Sequence, residues 1–112
     1  MGEHSGAIPE LTEETFAAET GGPGWCLVDF YASWCPHCRA FRPVYEEVAG
    51  QYQGAAKLVA ADVDQCRQAA ERFGIRSIPT LVLLKDGEKL DIHVGVMSAQ
   101  QLSEWLAEKV AG

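Results

Sequence analysis

The chain contains, at residues 25–38, the stretch WCLVDFYASWCPHC. Its first part, residues 25–32, is almost entirely apolar, which predicts a strand that is buried on both faces. The motif CPHC, at residues 35–38, follows directly and precedes an amphipathic segment. Cys35 would then occupy the N-cap position and Pro36 the first helical position, where its missing N–H costs nothing. The stretch therefore predicts a strand that passes at once into a helix, with two thiols at the helix start.

The two thiols of this motif predict dithiol/disulfide exchange. Cysteines at this spacing can close a small disulfide ring, and the helix dipole and free backbone N–H groups favour the thiolate form of Cys35. Cys38, one turn into the helix, is expected to be shielded. We therefore predict that an exposed Cys35 attacks a target disulfide and that Cys38 resolves the mixed disulfide. The alternatives are a permanent disulfide or half of a zinc site, although the sequence has no second CxxC to complete a zinc tetrad.

Charged residues near the thiols are predicted to tune them. His37 adds positive charge when it is protonated, and its ring N–H can donate to the thiolate when it is neutral; Arg39 and Arg42 add further positive charge. A stabilised thiolate stabilises the reduced form, so we expect a more oxidising disulfide, unless His37 is merely exposed and neutral. Asp29 interrupts the apolar strand, and burial there should raise its pKa, unless it is an edge residue that faces solvent.

The remaining sequence alternates between helix-like and strand-like segments. In order, the expected elements are a helix at residues 11–19 with a cap at Thr12, a strand at 25–32, a helix after the CPHC motif, a strand at 57–63, a helix at 65–73, a strand at 80–84, a hairpin turn at 85–88, a strand at 90–94 and a helix capped by Ser98. From the first strand onward, the order β-α-β-α-β-β-α predicts a mixed sheet with helices on both faces. Residues 1–9 are expected to be loosely held.

Composition and charge limit the class of protein. The chain has 112 residues, of which 47% are hydrophobic, enough for the core of one domain. Its 9 Lys+Arg against 16 Asp+Glu give a net charge of −7, which argues against nucleic acid or an anionic membrane as the main partner. No apolar stretch approaches the ~18 residues that span a bilayer. The polar N-terminus lacks an export signal, so we expect a cytoplasmic protein, although a processed exported form would read the same way.

The other cysteines are not expected to take part in the chemistry. With only four cysteines, the chain does not resemble the dense framework of a small secreted scaffold. Cys26 lies in the buried strand and is expected to be a core residue. Cys66 opens a predicted helix and is either an inert thiol, which we favour, or a regulatory one.

The CPHC motif and several other segments resemble those of the thioredoxin family. The matching stretches are VDFYASWCPHC (28–38), Pro43, DVD (62–64), GIRSIPTLVLLKDGE (74–88) and VG (94–95). A CxxC followed at this distance by Ile78-Pro79-Thr80 is a specific signal, and the resemblance covers nearly the whole chain. It implies an α/β thioredoxin fold over residues 1–112, a single domain whose central mixed sheet has helices on both faces. The sheet would have four or five strands, because the family's N-terminal strand would contain Pro9, which only an edge tolerates.

The resemblance also implies a role for Asp29. In the family, the matching aspartate assists proton removal from the second cysteine, here Cys38, through water. The family often pairs this aspartate with a lysine on the neighbouring strand, where this chain has Ala60. We therefore expect a less compensated carboxylate with a higher proton affinity.

A second loop is expected to lie opposite the CPHC motif and to bind substrate. Ile78-Pro79 matches the family's cis-proline, which implies that the backbone of Ile78 pairs with a bound peptide. The missing N–H of Pro79 would avoid competition for that pairing. An apolar docking rim would be completed by Trp34, Val94, Gly95 and Val96.

Three functions are therefore open. The first is a protein-disulfide reductase that acts on protein disulfides through a redox-active Cys35–Cys38 disulfide. We expect it to bind no cofactor and to act as a monomer. It would receive electrons from thioredoxin reductase or another external donor. The second is a disulfide oxidase or isomerase. Pro36 and His37 favour it, because this pair occurs in periplasmic disulfide-forming oxidants of the superfamily, but their inserted helical domain is absent from this sequence. The third is a redox-independent binding or metal-carrying module.

Overall fold

Residues 7–110, the part of the chain that the computed structural model describes, form five strands and four helices. They are β1 (Glu10–Leu11), α1 (Phe16–Thr20), β2 (Trp25–Tyr31), α2 (Pro36–Gln51), β3 (Ala56–Asp62), α3 (Arg67–Arg72), β4 (Thr80–Lys85), β5 (Glu88–Val94) and α4 (Ala99–Val110). The strands and helices predicted after α1 are all present, with ends shifted by a residue or two. Ser98 caps α4 as predicted, because its Oγ accepts a hydrogen bond from the Gln101 amide at 3.1 Å.

The first helix begins later than the sequence predicts. The predicted start directly after Thr12 is wrong, because α1 begins at Phe16, although the side chain of Thr12 does cap the turn before it. The Thr12 amide donates to Oγ1 of Thr15 at 2.9 Å, and the Thr15 amide donates to Oγ1 of Thr12 at 3.2 Å. The two side chains thus make the reciprocal hydrogen bonds of a capping box, and the Phe16 amide donates to the Thr12 carbonyl at 2.9 Å, so this turn leads into α1.

The strands form one mixed sheet in the order β1-β3-β2-β4-β5. The central strand, β2, pairs parallel with β3 and antiparallel with β4, while β1 and β5 form the edges. The sheet therefore has five strands, although β1 has only two residues. Pro9 lies directly before β1 at this edge, where a missing N–H is tolerated, and its carbonyl accepts a hydrogen bond from the Ala60 amide at 3.0 Å.

The expectation of a loose segment at residues 1–9 concerns in part residues 1–6, which lie outside the described residues. Of the others, Ile8 packs against the core on one face of the sheet, and Pro9 is hydrogen-bonded to β3. Both residues are thus in contact with the sheet through the segment that leads into β1.

Alternate residues of β2 enter two separate cores. Val28 lies on one face, in a core that α1 and α3 cover. Leu27 lies on the other face, in a core that α2 and α4 cover. Because side chains alternate along a strand, Asp29 and Tyr31 share the face of Leu27 and lie on the side of α2. The fold thus brings a carboxyl group to the same side of the sheet as the CPHC motif.

Candidate active site

The CPHC motif forms the junction between β2 and α2. Cys35 has extended backbone angles (φ −91°, ψ 114°) and is the N-cap of α2, and Pro36 is the first helical residue. The Cys38 amide donates a hydrogen bond to the Cys35 sulfur, with 3.3 Å between the two atoms. This amide is one of the free N–H groups of a helix start, which stabilise negative charge on the sulfur. The predicted N-cap geometry is confirmed, and it brings the two cysteines together.

Both cysteines of the motif are largely covered. Cys35 is 5% exposed and Cys38 is 3% exposed, so the expectation of an exposed Cys35 is wrong. The cover comes from outside the motif, because Tyr31, Val63 and Ile78 pack against the cluster that contains both thiols. Burial first, and then the hydrogen bond with Cys35, raises the pKa of Cys38 well above its ordinary value. This agrees with the predicted sheltered partner.

Asp29 is fully buried in β2, between Ala60 of β3 and Leu81 of β4. Neither of its carboxyl oxygens has a hydrogen-bond partner among the described residues. Burial raises the pKa of Asp29 from 3.8 to about 7, while the charge of Arg42 lowers it and that of Glu10 raises it. The predicted buried carboxyl group is confirmed, and a position facing solvent is excluded. A carboxyl group with this pKa can both accept and release a proton near neutral pH.

The basic residues beside the motif lie on its solvent side. His37 and Arg39 are exposed, and Arg39 donates to the Ser33 carbonyl at 3.1 Å. In the described part of the chain, the hydrogen bond to the Cys35 sulfur comes from the Cys38 amide and none comes from His37. An effect of His37 on the thiolate in this arrangement is therefore one of charge rather than of hydrogen bonding.

The Ile78–Pro79 peptide is cis, as the sequence predicts. Ile78 packs against the two thiols, and neither its amide nor its carbonyl takes part in a backbone hydrogen bond within residues 7–110. The Pro79 carbonyl accepts a hydrogen bond from the Gly95 amide at 2.8 Å. Gly95 has a φ of 103°, a conformation that favours glycine. Two loops are thus joined beside the cysteines, and the backbone of Ile78 is left free to pair.

Exposed apolar side chains flank these loops. Trp34 is 64% exposed, Val94 59% and Val96 52%. The indole N–H of Trp34 donates to Asp64 at 2.8 Å, which fixes the orientation of the ring. Exposed apolar surface next to reactive groups is typical of a docking site. Three of the four predicted rim residues are therefore exposed, and Gly95 is half-buried; the contact of Trp34 with Asp64 was not predicted.

A charged cluster that the sequence reasoning missed lies next to Asp29. The Tyr31 hydroxyl donates to Oε2 of Glu10 at 2.6 Å, and the guanidinium carbon of Arg42 lies 4.7 Å from the centre of the Tyr31 ring. We call Glu10, Tyr31 and Arg42 the Tyr31 cluster. Alternation along β2 could have placed Tyr31 on the face of Asp29. No local pattern could have added Glu10, which comes from the edge strand β1.

Cys26 and Cys66 are both buried, at 5% and 0% exposure. Burial raises the pKa of each thiol to about 11. The Cys66 sulfur lies 3.5 Å from the Leu11 carbonyl oxygen. A buried, protonated thiol is a poor nucleophile, so the core position of Cys26 is confirmed and the structure favours an inert Cys66.

Within residues 7–110, no three His, Cys, Asp or Glu side chains are grouped so that they could hold a metal ion. No helix in that same range is long and apolar enough to cross a membrane.

Paired thiols that alternate between an open and a bridged state transfer two electrons to or from another disulfide, and a protein built around them is a thiol–disulfide oxidoreductase. The sequence model of the family described as Thioredoxin matches residues 7–108. Thioredoxin 1 of Nostoc sp. (strain PCC 7120) is 43% identical over 101 residues, 89% of this chain and 94% of that protein. The thioredoxin of Staphylococcus haemolyticus is 43% identical over 100 residues, 89% of this chain and 95% of that protein, and that of Staphylococcus saprophyticus is 42% identical over 98 residues, 88% and 93%. The chain belongs to the thioredoxin family and is a protein-disulfide oxidoreductase.

Proposed function

We propose that this protein reduces the disulfides of other proteins through Cys35 and Cys38. The Cys35 thiolate attacks one sulfur of the target; a Cys35–target disulfide forms, the target's S–S bond breaks, and the leaving sulfur takes up a proton. Cys38 then loses its proton and attacks the Cys35 sulfur. The second target thiol is released as the Cys35–Cys38 disulfide forms, so the target gains two electrons and two protons. The observation that supports this best is the 3.3 Å contact between the Cys38 amide and the Cys35 sulfur at the start of α2.

Asp29 is the proposed acceptor of the Cys38 proton, through water. Its pKa of about 7 means that a large fraction is ionised at neutral pH, which suits a group that accepts a proton and returns it. The charge of Asp29 is also among the causes that raise the pKa of Cys38, which supports the closeness of the two groups.

Substrate binding is assigned to the joined loops and the rim beside the thiols. An extended peptide can form hydrogen bonds with the free backbone of Ile78, next to Pro79. The exposed Trp34 ring and the apolar residues on either side of Gly95 would cover such a peptide. This assignment accounts for large apolar side chains that are left in contact with solvent.

The disulfide is proposed to be more oxidising than that of an ordinary thioredoxin, because Pro36 and His37 separate the cysteines. Each tenfold gain in the ratio of thiolate to thiol for Cys35 is worth about 30 mV in a two-electron couple. The same pair of residues supports the alternative function, a disulfide oxidase or isomerase.

Redox titration and insulin reduction together test these proposals. We expect catalysed insulin reduction that Cys35→Ser abolishes, and a potential above the value of about −270 mV that is typical of thioredoxin. If the protein reduces insulin fully but its potential is at or below that value, Pro36 and His37 do not make the disulfide more oxidising. The proposed reductase function would still stand in that case. Oxidation of a reduced, unfolded protein faster than insulin reduction would favour the oxidase. Function retained in Cys35→Ser, with stoichiometric zinc binding by the reduced protein, would favour a redox-independent module.

The proposed partners follow from the reaction. Each turnover leaves a Cys35–Cys38 disulfide, so thioredoxin reductase or another external donor must return two electrons. We expect the protein to act as a monomer in the cytoplasm. Its net charge of −7 argues against nucleic acid and anionic membranes as partners.

A further inference from the structure

The Tyr31 cluster holds Arg42 in one place. The guanidinium stacks on the Tyr31 ring, a contact that gains both dispersion and cation–π attraction. Tyr31 is itself fixed by its hydrogen bond to Glu10, which is strengthened by the charge of the carboxylate. A long side chain that would otherwise move among many rotamers is thus kept over the face of β2 that holds Asp29.

The surroundings of Asp29 offer it little compensation for its charge. The titratable groups around it are Glu10 of β1, Tyr31 of β2, and Cys38, Arg42 and Tyr45 of α2, while its strand neighbours are Ala60 of β3 and Leu81 of β4. In this set Arg42 is the cation, and its charge opposes the rise in the pKa of Asp29 that burial and Glu10 cause. A buried carboxyl group without hydrogen bonds depends on such a charge to ionise.

Arg42 also lines a cavity that borders Cys38. A cavity of about 230 Å³ is lined by Tyr31, Ser33, Cys38, Arg39 and Arg42. It is large enough to hold several water molecules. Arg42 and Cys38 therefore line the same cavity, and the charge of Arg42 also acts on Asp29.

We propose that Arg42, held by Tyr31 and Glu10, is a positioning residue that keeps Asp29 able to exchange a proton near neutral pH. The inference rests on the proposed function, in which Asp29 accepts the proton of Cys38. Without Arg42, a smaller fraction of the Asp29 carboxyl groups would be ionised at neutral pH, so fewer molecules could accept that proton. The negative charge of Glu10 opposes the ionisation of Asp29, whereas the positive charge of Arg42 favours it. Arg42 and Glu10 together therefore set the fraction of Asp29 that is ionised.

The direct test is an NMR titration of the Asp29 carboxyl carbon in the oxidised protein, where the bridged cysteines carry no thiol proton that would couple to it. We expect Arg42→Gln to raise the midpoint by at least about 0.5 pH unit and Glu10→Gln to lower it. Arg42→Lys keeps the charge but loses the planar stacking on Tyr31, so its midpoint should lie between those of the wild type and Arg42→Gln. Arg39→Gln is the matched control, because Arg39 lines the same cavity and should leave the midpoint in place. The proposal would be overturned if the midpoint were unchanged in folded Arg42→Gln. It would also be overturned if Arg42→Gln and the control Arg39→Gln shifted the midpoint equally.

A kinetic test separates this inference from the proposed function. Reduced protein releases two thionitrobenzoate ions from the aromatic disulfide DTNB, the first through Cys35 and the second when Cys38 resolves the mixed disulfide. We expect Arg42→Gln to shift the pH profile of the second release upward with the NMR midpoint, and to have no such effect in an Asp29→Asn background. An NMR shift without a kinetic shift would support the control of Asp29 by Arg42 and overturn the role of Asp29 as proton acceptor.

Discussion

Replacement of Asp29 by asparagine should remove much of the pH dependence of the protein's stability. Asp29 is fully buried without hydrogen-bond partners in residues 7–110, and its pKa rises from 3.8 to about 7 on folding. Below the lower value the carboxyl group is protonated in both states. Between the two values the folded protein keeps a proton that the unfolded chain has lost. The free energy of unfolding of the wild type therefore falls as the pH rises from about 4 to about 7.

The size of this effect follows from the two values. A difference of about three pH units corresponds to about 4 kcal/mol, of which about 3 kcal/mol is lost between about pH 5 and about pH 8. Asparagine does not ionise, so the Asp29→Asn variant should gain that amount relative to the wild type over this range. The unpaired buried amide of asparagine costs the variant roughly 1–3 kcal/mol of stability. This cost is the same at every pH, so it does not affect the slope of stability against pH.

Urea unfolding of the reduced proteins at several pH values measures this slope. Glu47→Gln is the matched control, because it removes one carboxylate from an exposed position on α2 and should leave the slope of the wild type unchanged. The test compares the free energy of unfolding of the wild type with that of Asp29→Asn. If their difference varies by less than about 0.5 kcal/mol between about pH 5 and about pH 8, Asp29 is not a buried, uncompensated carboxyl group.

Three further substitutions test other parts of the site. Cys38→Ser should accumulate a mixed disulfide between Cys35 and its target on a non-reducing gel, whereas Cys35→Ser should accumulate none; equal accumulation would contradict the assigned roles. Gly95→Ala should lower the free energy of unfolding by about 1–2 kcal/mol, because alanine disfavours positive φ, and should raise KM for insulin; an unchanged urea midpoint would argue against this backbone constraint. Cys66→Ala should leave insulin reduction unchanged, and the native Cys66 thiol should resist alkylation until the protein unfolds, since it is fully buried; rapid labelling of native Cys66 would contradict its inert role.

The sequence predicts those features that depend on neighbours along the chain. The apolar run of β2, the N-cap at Cys35 and Pro36 at the first helical position are local signals, and the structure confirms them. The burial of Asp29 follows from the same run, because a strand that is apolar on both sides leaves no exposed face.

The features that the sequence did not predict depend on contacts between distant segments. Part of the cover over Cys35 comes from far along the chain, because Val63 and Ile78 pack against the cluster that contains both cysteines. The Tyr31 cluster draws on three elements, and the position of Arg42 over Tyr31 is set by how α2 packs on β2. The late start of α1 is local instead, since a turn capped by Thr12 precedes the helix.

The rate at which iodoacetamide alkylates the reduced protein at mildly acidic pH, with mass spectrometry to locate the label, tests the paired-thiol mechanism most directly. Although Cys35 is only 5% exposed, the mechanism predicts that its sulfur, which the Cys38 amide stabilises as a thiolate, is labelled first and faster than free cysteine. Cys38 should be labelled only after unfolding, and the oxidised protein should be labelled at neither position. Equal labelling of Cys35 and Cys38, or labelling of Cys35 no faster than free cysteine, would contradict it.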